Sequence, residues 1–145
     1  MEEILNCFET YEEIVELIKK EPNSAINWLK YGNLECRSGN FEKGIEYYKK
    51  TLELDSNLKI AWFYMGNIYI ELKKYEEAEI VLEKIIDEKL DIDRGDLFYS
   101  LGISCMELKK YSKAINYFKE ILKIEPDDKF AQIKIEEIKK ISKEI

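Results

Sequence analysis

Residues 62–82 read WFYMGNIYIELKKYEEAEIVL, and this stretch decides the fold of the chain. Its apolar residues recur at helical spacing in two runs, which are Trp62, Met65, Tyr69 and Leu72, and then Tyr75, Ala78, Leu82 and Ile85. Spacing of this kind places the residues of each run on one face of a helix. Because Lys73-Lys74 interrupts the pattern, the stretch predicts two antiparallel helices joined by a tight turn.

The same stretch occurs again on both sides of itself. Gly32, Gly66 and Gly102 are separated by 34 residues (32 to 66) and then by 36 residues (66 to 102). Four more columns keep both intervals: Trp28, Trp62, Phe98; Phe41, Tyr75, Tyr111; Gly44, Ala78, Ala114; and Tyr48, Leu82, Phe118. A fixed period of this length is typical of helical repeat proteins. We expect the two additional residues of the second interval in the polar segment 87–95.

Small residues at fixed positions indicate where the two helices of each pair touch. Gly32, Gly66 and Gly102 lie on the first helices, and Gly44, Ala78 and Ala114 are predicted to face them from the second helices. A glycine inside a helix costs about 1 kcal/mol relative to alanine. Three glycines in one column therefore predict a close approach of the two backbones.

These columns resemble the tetratricopeptide repeat, whose pattern is W-x2-L-G-x2-Y, then A-x3-F, then P. The second unit matches with Trp62, Met65, Gly66, Tyr69 and Ala78, and the third unit ends on Pro126. The resemblance covers residues 25–128. It implies an all-α fold, a right-handed α-solenoid of three helix-turn-helix repeats with an N-terminal helix and a C-terminal capping helix.

We expect one domain over residues 1–145, divided at the motif boundaries. The segments are an N-terminal helical segment 1–24, repeats at 25–58, 59–94 and 95–128, and a capping helix 129–145. The N-terminal segment carries an apolar stripe (Ile4, Phe8, Tyr11, Val15, Ile18) and the capping-box sequence Thr10-x-x-Glu13. The last helix is predicted to begin after Asp127-Asp128 and to bury Ala131, Ile135 and Ile138.

The resemblance implies a non-catalytic protein–protein interaction module that binds a peptide segment in a mostly apolar concave groove. Counted from the motif, the groove positions are Leu29, Asn33, Arg37, Phe63, Asn67, Ile70, Tyr99, Ile103 and Met106. Within them, Leu29, Phe63 and Tyr99 form one column of large apolar residues, which we expect to be exposed. Trp62, by contrast, is expected between the helices of its pair.

Polar groove positions separate two kinds of peptide binding. Asn33 and Asn67 share a column in which an amide can bond to a peptide backbone. Some relatives also clamp a terminal carboxylate with lysine, arginine and asparagine. Here that clamp keeps only Asn33, and its other positions hold Leu29, Tyr64, Asp96 and Ser100. An aspartate would repel a carboxylate, and so we expect no clamp of this kind.

Self-association is the alternative function. The apolar groove or the N-terminal helix would then form a homo-dimer. RNA binding by the repeats would need a basic groove, whose only clear cation is Arg37. An enzyme would need a constellation of catalytic residues, and the sequence offers none.

The composition excludes some partners and some types of site. The chain has 145 residues, of which 37% are charged and 46% hydrophobic, with no histidine and a net charge of −7. The negative charge disfavours nucleic acid as a partner, and no apolar run predicts a membrane span. Cys7, Cys36 and Cys105 have no disulfide or metal-site spacing, which favours a cytoplasmic protein without metal or cofactor. The abundance of glutamate and lysine, with the single glutamine Gln132, is typical of heat-adapted proteins.

Overall fold

The computed structural model of the chain describes residues 10–86 and 92–143. These ranges form eight α-helices and contain no strand. In chain order the helices are α1 (Tyr11–Lys20), α2 (Ala25–Arg37), α3 (Phe41–Leu54), α4 (Ile60–Glu71), α5 (Tyr75–Glu83), α6 (Arg94–Glu107), α7 (Tyr111–Ile124) and α8 (Lys129–Lys143). The predicted all-α fold is confirmed.

The chain divides into two compact units. Unit 1 comprises Met1–Ile68 and unit 2 comprises Tyr69–Ile145, so that the boundary falls inside α4. Most of the segment 87–95, where we expected the two additional residues, lies outside the described residues.

In unit 1, helix α1 begins with the predicted capping box. Thr10 Oγ1 accepts a hydrogen bond from the Glu13 backbone N–H at 3.2 Å, and Glu13 Oε2 accepts one from the Thr10 N–H at 2.7 Å. Each carboxylate or hydroxyl oxygen thereby satisfies a donor that the helix start leaves without a partner. Ile14 of this helix is fully buried. The first two residues of the predicted stripe, Ile4 and Phe8, lie outside the described residues.

At each of two glycines, the missing side chain leaves space for an aromatic ring of the following helix. A Cβ atom added to Gly32 of α2 would lie 2.6 Å from Cε1 of Tyr48 in α3. In unit 2, a Cβ added to Gly102 of α6 would lie 2.7 Å from Cε1 of Phe118 in α7. Both distances are too short for real carbon contacts, and so any larger residue would push the ring away. The close approach predicted from the glycine column is therefore present in both pairs.

The first helix of each pair ends in a left-handed turn residue. Gly39 has φ +81°, and at the equivalent positions Lys73 and Lys109 have φ +57° and +59°. The next residue then donates its N–H to the carbonyl five residues earlier, as Lys110 does to Cys105 at 2.8 Å. Glycine adopts this conformation without steric cost, whereas a lysine does not.

Helix α8 packs on the core of unit 2. The predicted stripe Ala131, Ile135 and Ile138 is buried in a cluster that also includes Phe98 and Phe118. Asp128 caps the helix, since its Oδ1 accepts a hydrogen bond from the Ala131 N–H at 2.6 Å. The C-terminal helix therefore covers one side of the α6–α7 pair.

Candidate functional site

Unit 1 contains an open pocket of about 300 Å³ next to the end of α2. Its lining residues are Asn33, Cys36, Arg37, Tyr48 and Tyr64. Helix α2 provides the first three, because positions 33, 36 and 37 are three or four residues apart and share one face. This pocket, which we call the amide pocket, is polar on the side of Asn33 and Arg37.

The Asn33 side chain is already engaged within unit 1. The Tyr48 hydroxyl donates a hydrogen bond to Asn33 Oδ1 at 2.6 Å. Burial raises the pKa of Tyr48, so the hydroxyl stays protonated and keeps this role. One of the two lone pairs of Asn33 Oδ1 is therefore engaged, and the NH2 group remains as the donor that a ligand would meet. Burial also raises the pKa of the Cys36 thiol and keeps that group neutral.

Unit 2 contains a cleft of about 260 Å³ between the start of α6, the end of α7 and the start of α8. Its lining residues are Asp93, Gly95, Asp96, Tyr99, Ile121, Ile124, Glu125, Asp128 and Phe130. The Tyr99 and Phe130 ring centroids are 4.6 Å apart. Tyr99 is 42% exposed and Ile124 is 50% exposed. We call this the acidic cleft, since four carboxylates surround its apolar side chains.

Local structure fixes two of these carboxylates. Asp93 caps α6, with its Oδ1 accepting from the Gly95 N–H at 2.6 Å, and Asp128 caps α8 in the same way. Partial desolvation and the charge of Asp93 raise the pKa of Asp96. Among the described residues, no lysine or arginine forms an ion pair with Asp93, Asp96, Glu125 or Asp128. The cleft therefore carries a negative potential that its own side chains leave unbalanced.

A second charged cluster of unit 2 is internally satisfied. Glu79 of α5 has a buried side chain, and its carboxylate accepts hydrogen bonds from Lys110 Nζ at 2.6 Å and Lys113 Nζ at 2.5 Å. Burial opposes the charge of Glu79, but the two lysines outweigh it and hold its pKa below the ordinary value. Lys113 also pairs with Glu83. This cluster ties α5 to the following helix pair, and its charges are paired with one another.

The structure corrects the predicted apolar column. Leu29 is only 4% exposed, and so it cannot line an open groove as predicted. Trp62 and Phe63 are both partly buried, whereas we expected a contrast between a packed and an exposed side chain. A position in the repeat motif fixes the helix face, but neighbouring side chains decide how much of that face stays open. Tyr99 alone of the column is clearly exposed.

The other predicted positions fall in different places. Asn33 and Arg37 line the amide pocket, and Tyr99 lines the acidic cleft. Ile103 and Met106 are partly buried and pack against the core of unit 2. Asn67 and Ile70 are partly buried and line neither pocket.

Sequence reasoning missed most of the acidic cleft. The motif placed Asp96 among the inward positions of the third repeat and at a position of the carboxylate clamp, but it gave no indication of Phe130 or of the other carboxylates. One signal was available: Phe130 follows Asp96 by 34 residues (96 to 130), which is the repeat interval. Phe130 of α8 therefore stands in the same sequence column as Asp96.

Two further features bear on chemistry. No helix within the described ranges is both long and apolar enough to cross a lipid bilayer. In the same part of the chain, His, Cys, Asp and Glu side chains form no group of three suited to a metal ion. Cys36 and Cys105 are free thiols, and Cys7 lies outside the described residues.

Two family models match the sequence. The tetratricopeptide repeat model matches residues 95–128. A second model, described as anaphase-promoting complex, cyclosome, subunit 3, matches residues 7–85.

Several known proteins are similar to this chain. The TPR repeat-containing protein MJ1428 of Methanocaldococcus jannaschii is 24% identical over 142 residues, which is 90% of this chain and 25% of the relative. The crystal structure of YrrB, described as a TPR protein with an unusual peptide-binding site, is 28% identical with a TM-score of 0.74. That match covers 84% of this chain and 62% of YrrB. The chain spans a quarter or less of the length of the first curated relatives it matches.

A third neighbour was solved with a ligand. The second TPR domain of the human RPAP3 protein is 29% identical with a TM-score of 0.69, and the match covers 79% of this chain and 94% of that domain. It was determined in complex with the HSP70 peptide SGPTIEEVD.

Proposed function

The chain belongs to the tetratricopeptide repeat family, and on that premise we propose that it is a non-catalytic protein–protein interaction module that binds peptide segments. The peptide contacts are assigned to the amide pocket of unit 1 and the acidic cleft of unit 2, each within its own unit.

One observation carries this proposal most directly. Tyr99 is 42% exposed on the first helix of its pair and stands beside Phe130, with the exposed Ile124 in the same cleft. Exposed aromatic and aliphatic side chains rimmed by polar groups are typical of interaction sites. Aromatic anchors also contribute much of the binding energy at interfaces.

The amide pocket adds hydrogen-bond donors. Asn33, whose oxygen accepts a hydrogen bond from Tyr48, presents its NH2 group, and the guanidinium of the exposed Arg37 lies in the same pocket. These groups match the carbonyl oxygens of an extended peptide. Phe63, Asn67, Ile70, Ile103 and Met106 stay predicted peptide contacts, whereas the buried Leu29 is withdrawn.

The solved neighbours support peptide binding in general. YrrB is described as having a peptide-binding site, and the RPAP3 domain was determined with a bound peptide. Both share the helical repeat fold with this chain at more than a quarter sequence identity.

Selection from a random peptide library tests the proposal. Peptides enriched on the immobilised chain are measured by isothermal titration calorimetry against two double variants. Arg37→Ala/Tyr99→Ala removes one exposed side chain from each pocket. Lys49→Ala/Ile80→Ala removes exposed side chains that line neither pocket. We expect the first variant to bind the selected peptides about tenfold or more weakly, and the second variant to bind them with unchanged affinity. Failure to enrich any peptide, or equal effects of the two variants, contradicts the proposal.

Light scattering separates this function from self-association. A monomer that binds selected peptides fits the interaction module. A dimer that Arg37→Ala/Tyr99→Ala dissociates would favour the homo-dimer instead. A cytoplasmic location and high thermal stability stay predictions from composition.

A further inference from the structure

We propose that the acidic cleft of unit 2 holds a cationic side chain, lysine or arginine, of a partner peptide that carries apolar neighbours beside it. The proposal rests on the peptide binding proposed above and names the chemistry of the segment that unit 2 accepts.

The cleft is rich in negative charge. Asp93, Asp96, Glu125 and Asp128 all line one small cleft, and none forms an ion pair with a lysine or arginine of the described residues. Capping hydrogen bonds hold Asp93 and Asp128 in place before any ligand arrives. Fixed, unbalanced charges of one sign attract a ligand group of the opposite sign and repel one of the same sign.

The cleft also has apolar side chains that can pack against the stem of a lysine or an arginine. Tyr99 and Phe130 stand 4.6 Å apart, and Ile121 and Ile124 line the same space. The aliphatic stem of lysine or arginine packs on such surface while its charged end stays among polar groups. Aromatic rings also attract cations through their faces. Unit 2 already contains such contacts, with Lys134 Nζ 5.4 Å from the Phe130 ring centroid and Arg94 above Phe98.

Lys134 does not neutralise the cleft. Its Nζ forms an ion pair with Glu137 at 2.8 Å, on the same helix and outside the cleft lining. The carboxylates of the cleft therefore remain available to an incoming cation.

Size and geometry select among cations. The volume of about 260 Å³ lies below the ~300–1,000 Å³ of typical small-molecule sites, and it suits one long side chain. The cleft carboxylates do not form a group that suits a metal ion. A peptide side chain thus fits better than a metal ion or a larger organic molecule. An acidic segment such as SGPTIEEVD, the peptide bound by the RPAP3 domain, would meet like charges here.

Three labelled probe peptides test the inference by fluorescence anisotropy. Each is short and alternates leucine with one other residue, which is arginine, glutamine or glutamate. We expect the arginine peptide to bind about tenfold or more tightly than the glutamine peptide, with the glutamate peptide weakest. Its advantage is expected to shrink at high salt, because these charges are partly open to solvent.

Variants then locate the effect. Asp96→Asn/Glu125→Gln removes two charges from the cleft, and we expect it to erase most of the preference for arginine. Glu76→Gln/Glu77→Gln removes two exposed charges of α5 outside the cleft. We expect it to change the preference for arginine by less than about twofold. Tyr99→Ala keeps every carboxylate and is expected to weaken the arginine and glutamine peptides alike.

The outcomes distinguish this inference from the proposed function. Equal binding of the arginine and glutamine peptides, or equal losses in the two charge variants, overturns the inference. If library selection still yields peptides that depend on Tyr99 but carry no cation, the interaction module stands and only the cationic preference fails. If no peptide of any kind binds, both fail together.

Discussion

The α2–α3 and α6–α7 pairs share one packing device and differ in what surrounds it. In both, a glycine of the first helix seats an aromatic ring sixteen residues later, at Gly32 and Tyr48 and at Gly102 and Phe118. In the first pair the ring carries a hydroxyl that donates to Asn33. In the second pair the ring has no hydroxyl, and Ile103 stands in the column of Asn33. The hydroxyl therefore occurs where an amide can accept its hydrogen bond.

This difference extends to the surfaces near the two pairs. The amide pocket presents the hydrogen-bond donors of Asn33 and Arg37, whereas the acidic cleft presents carboxylate acceptors around aromatic rings. The repeat motif fixes the packing of glycine and ring but leaves the neighbouring positions free. The two units are therefore expected to bind chemically different parts of a partner.

The largest effect is expected from removing a seated ring. Phe118 is fully buried, and so Phe118→Ala should cost about 3–5 kcal/mol of unfolding free energy through lost contacts and an internal cavity. Tyr48→Ala should cost a similar amount in the other pair. Urea unfolding followed by circular dichroism measures both. Tyr99→Ala, at an exposed ring, is the control and should cost under about 1 kcal/mol. Equal costs for Phe118→Ala and Tyr99→Ala would show that the ring is not the packing element.

Exchanging the ring hydroxyl between the two helix pairs tests whether it depends on an amide that can accept its hydrogen bond. Phe118→Tyr places a hydroxyl in a buried, apolar position opposite Ile103 and should cost about 1–3 kcal/mol. Tyr48→Phe removes the donor to Asn33 and should cost about 0.5–1.5 kcal/mol. Double-variant cycles with Asn33→Ala and Ile103→Asn measure the coupling. Ile103→Asn should recover part of the loss of Phe118→Tyr. If it recovers nothing, the two columns are independent.

The free energy of unfolding should depend on pH through Glu79 of unit 2. Its pKa in the folded chain lies below the ordinary value of 4.5, which we take for the unfolded chain. The carboxylate therefore contributes stability above pH 4.5 and loses it as the pH falls through the folded pKa. Glu79→Gln should cost about 1–2 kcal/mol at neutral pH, and the difference from the unaltered chain should shrink below pH 4.5. Glu16→Gln is the comparison, since Lys19 also lowers the pKa of that carboxyl, and it should change the acid profile much less because solvent screens this exposed pair. A difference that is constant with pH would exclude this ion pair as its cause.

The smallest effect is expected at the turn between the helices. Lys109 has φ +59°, a conformation in which glycine is favoured, and so Lys109→Gly should stabilise the chain by about 0.5–1 kcal/mol. Gly39→Ala, at the equivalent turn of the first pair, should destabilise it by a similar amount. Thermal unfolding measures both shifts. The same sign for the two changes would contradict the shared turn geometry.

Local pattern predicted most of the helix packing. The glycine column, the capping box at Thr10 and Glu13 and the buried stripe of α8 each depend on residues close in sequence or related by the repeat period. The structure has the capping box, the buried stripe and the close approach at Gly32 and Gly102, because spacing along a helix determines the face that a residue occupies.

The sites depended on contacts that no local pattern shows. The hydrogen bond of Asn33 reaches Tyr48 on the next helix, so part of the acceptor capacity of this amide is already used within unit 1. Leu29 was placed on the correct helix, but surrounding side chains cover it. The carboxylates of the acidic cleft lie about thirty residues apart in sequence, at 93 and 96 and at 125 and 128, and they meet only because helix ends converge.

The central claim is that unit 2 accepts a cation where unit 1 does not, and a two-dimensional ¹H–¹⁵N NMR titration with the leucine–arginine peptide tests it most directly. We expect the largest saturable shifts at the backbone amides of Gly95, Asp96, Tyr99 and Phe130, and smaller shifts at Asn33 and Tyr64 of the amide pocket. Asp96→Asn/Glu125→Gln should suppress those shifts. Largest shifts at Asn33 and Tyr64, or small shifts spread evenly over the exposed carboxylates of the chain, would contradict it.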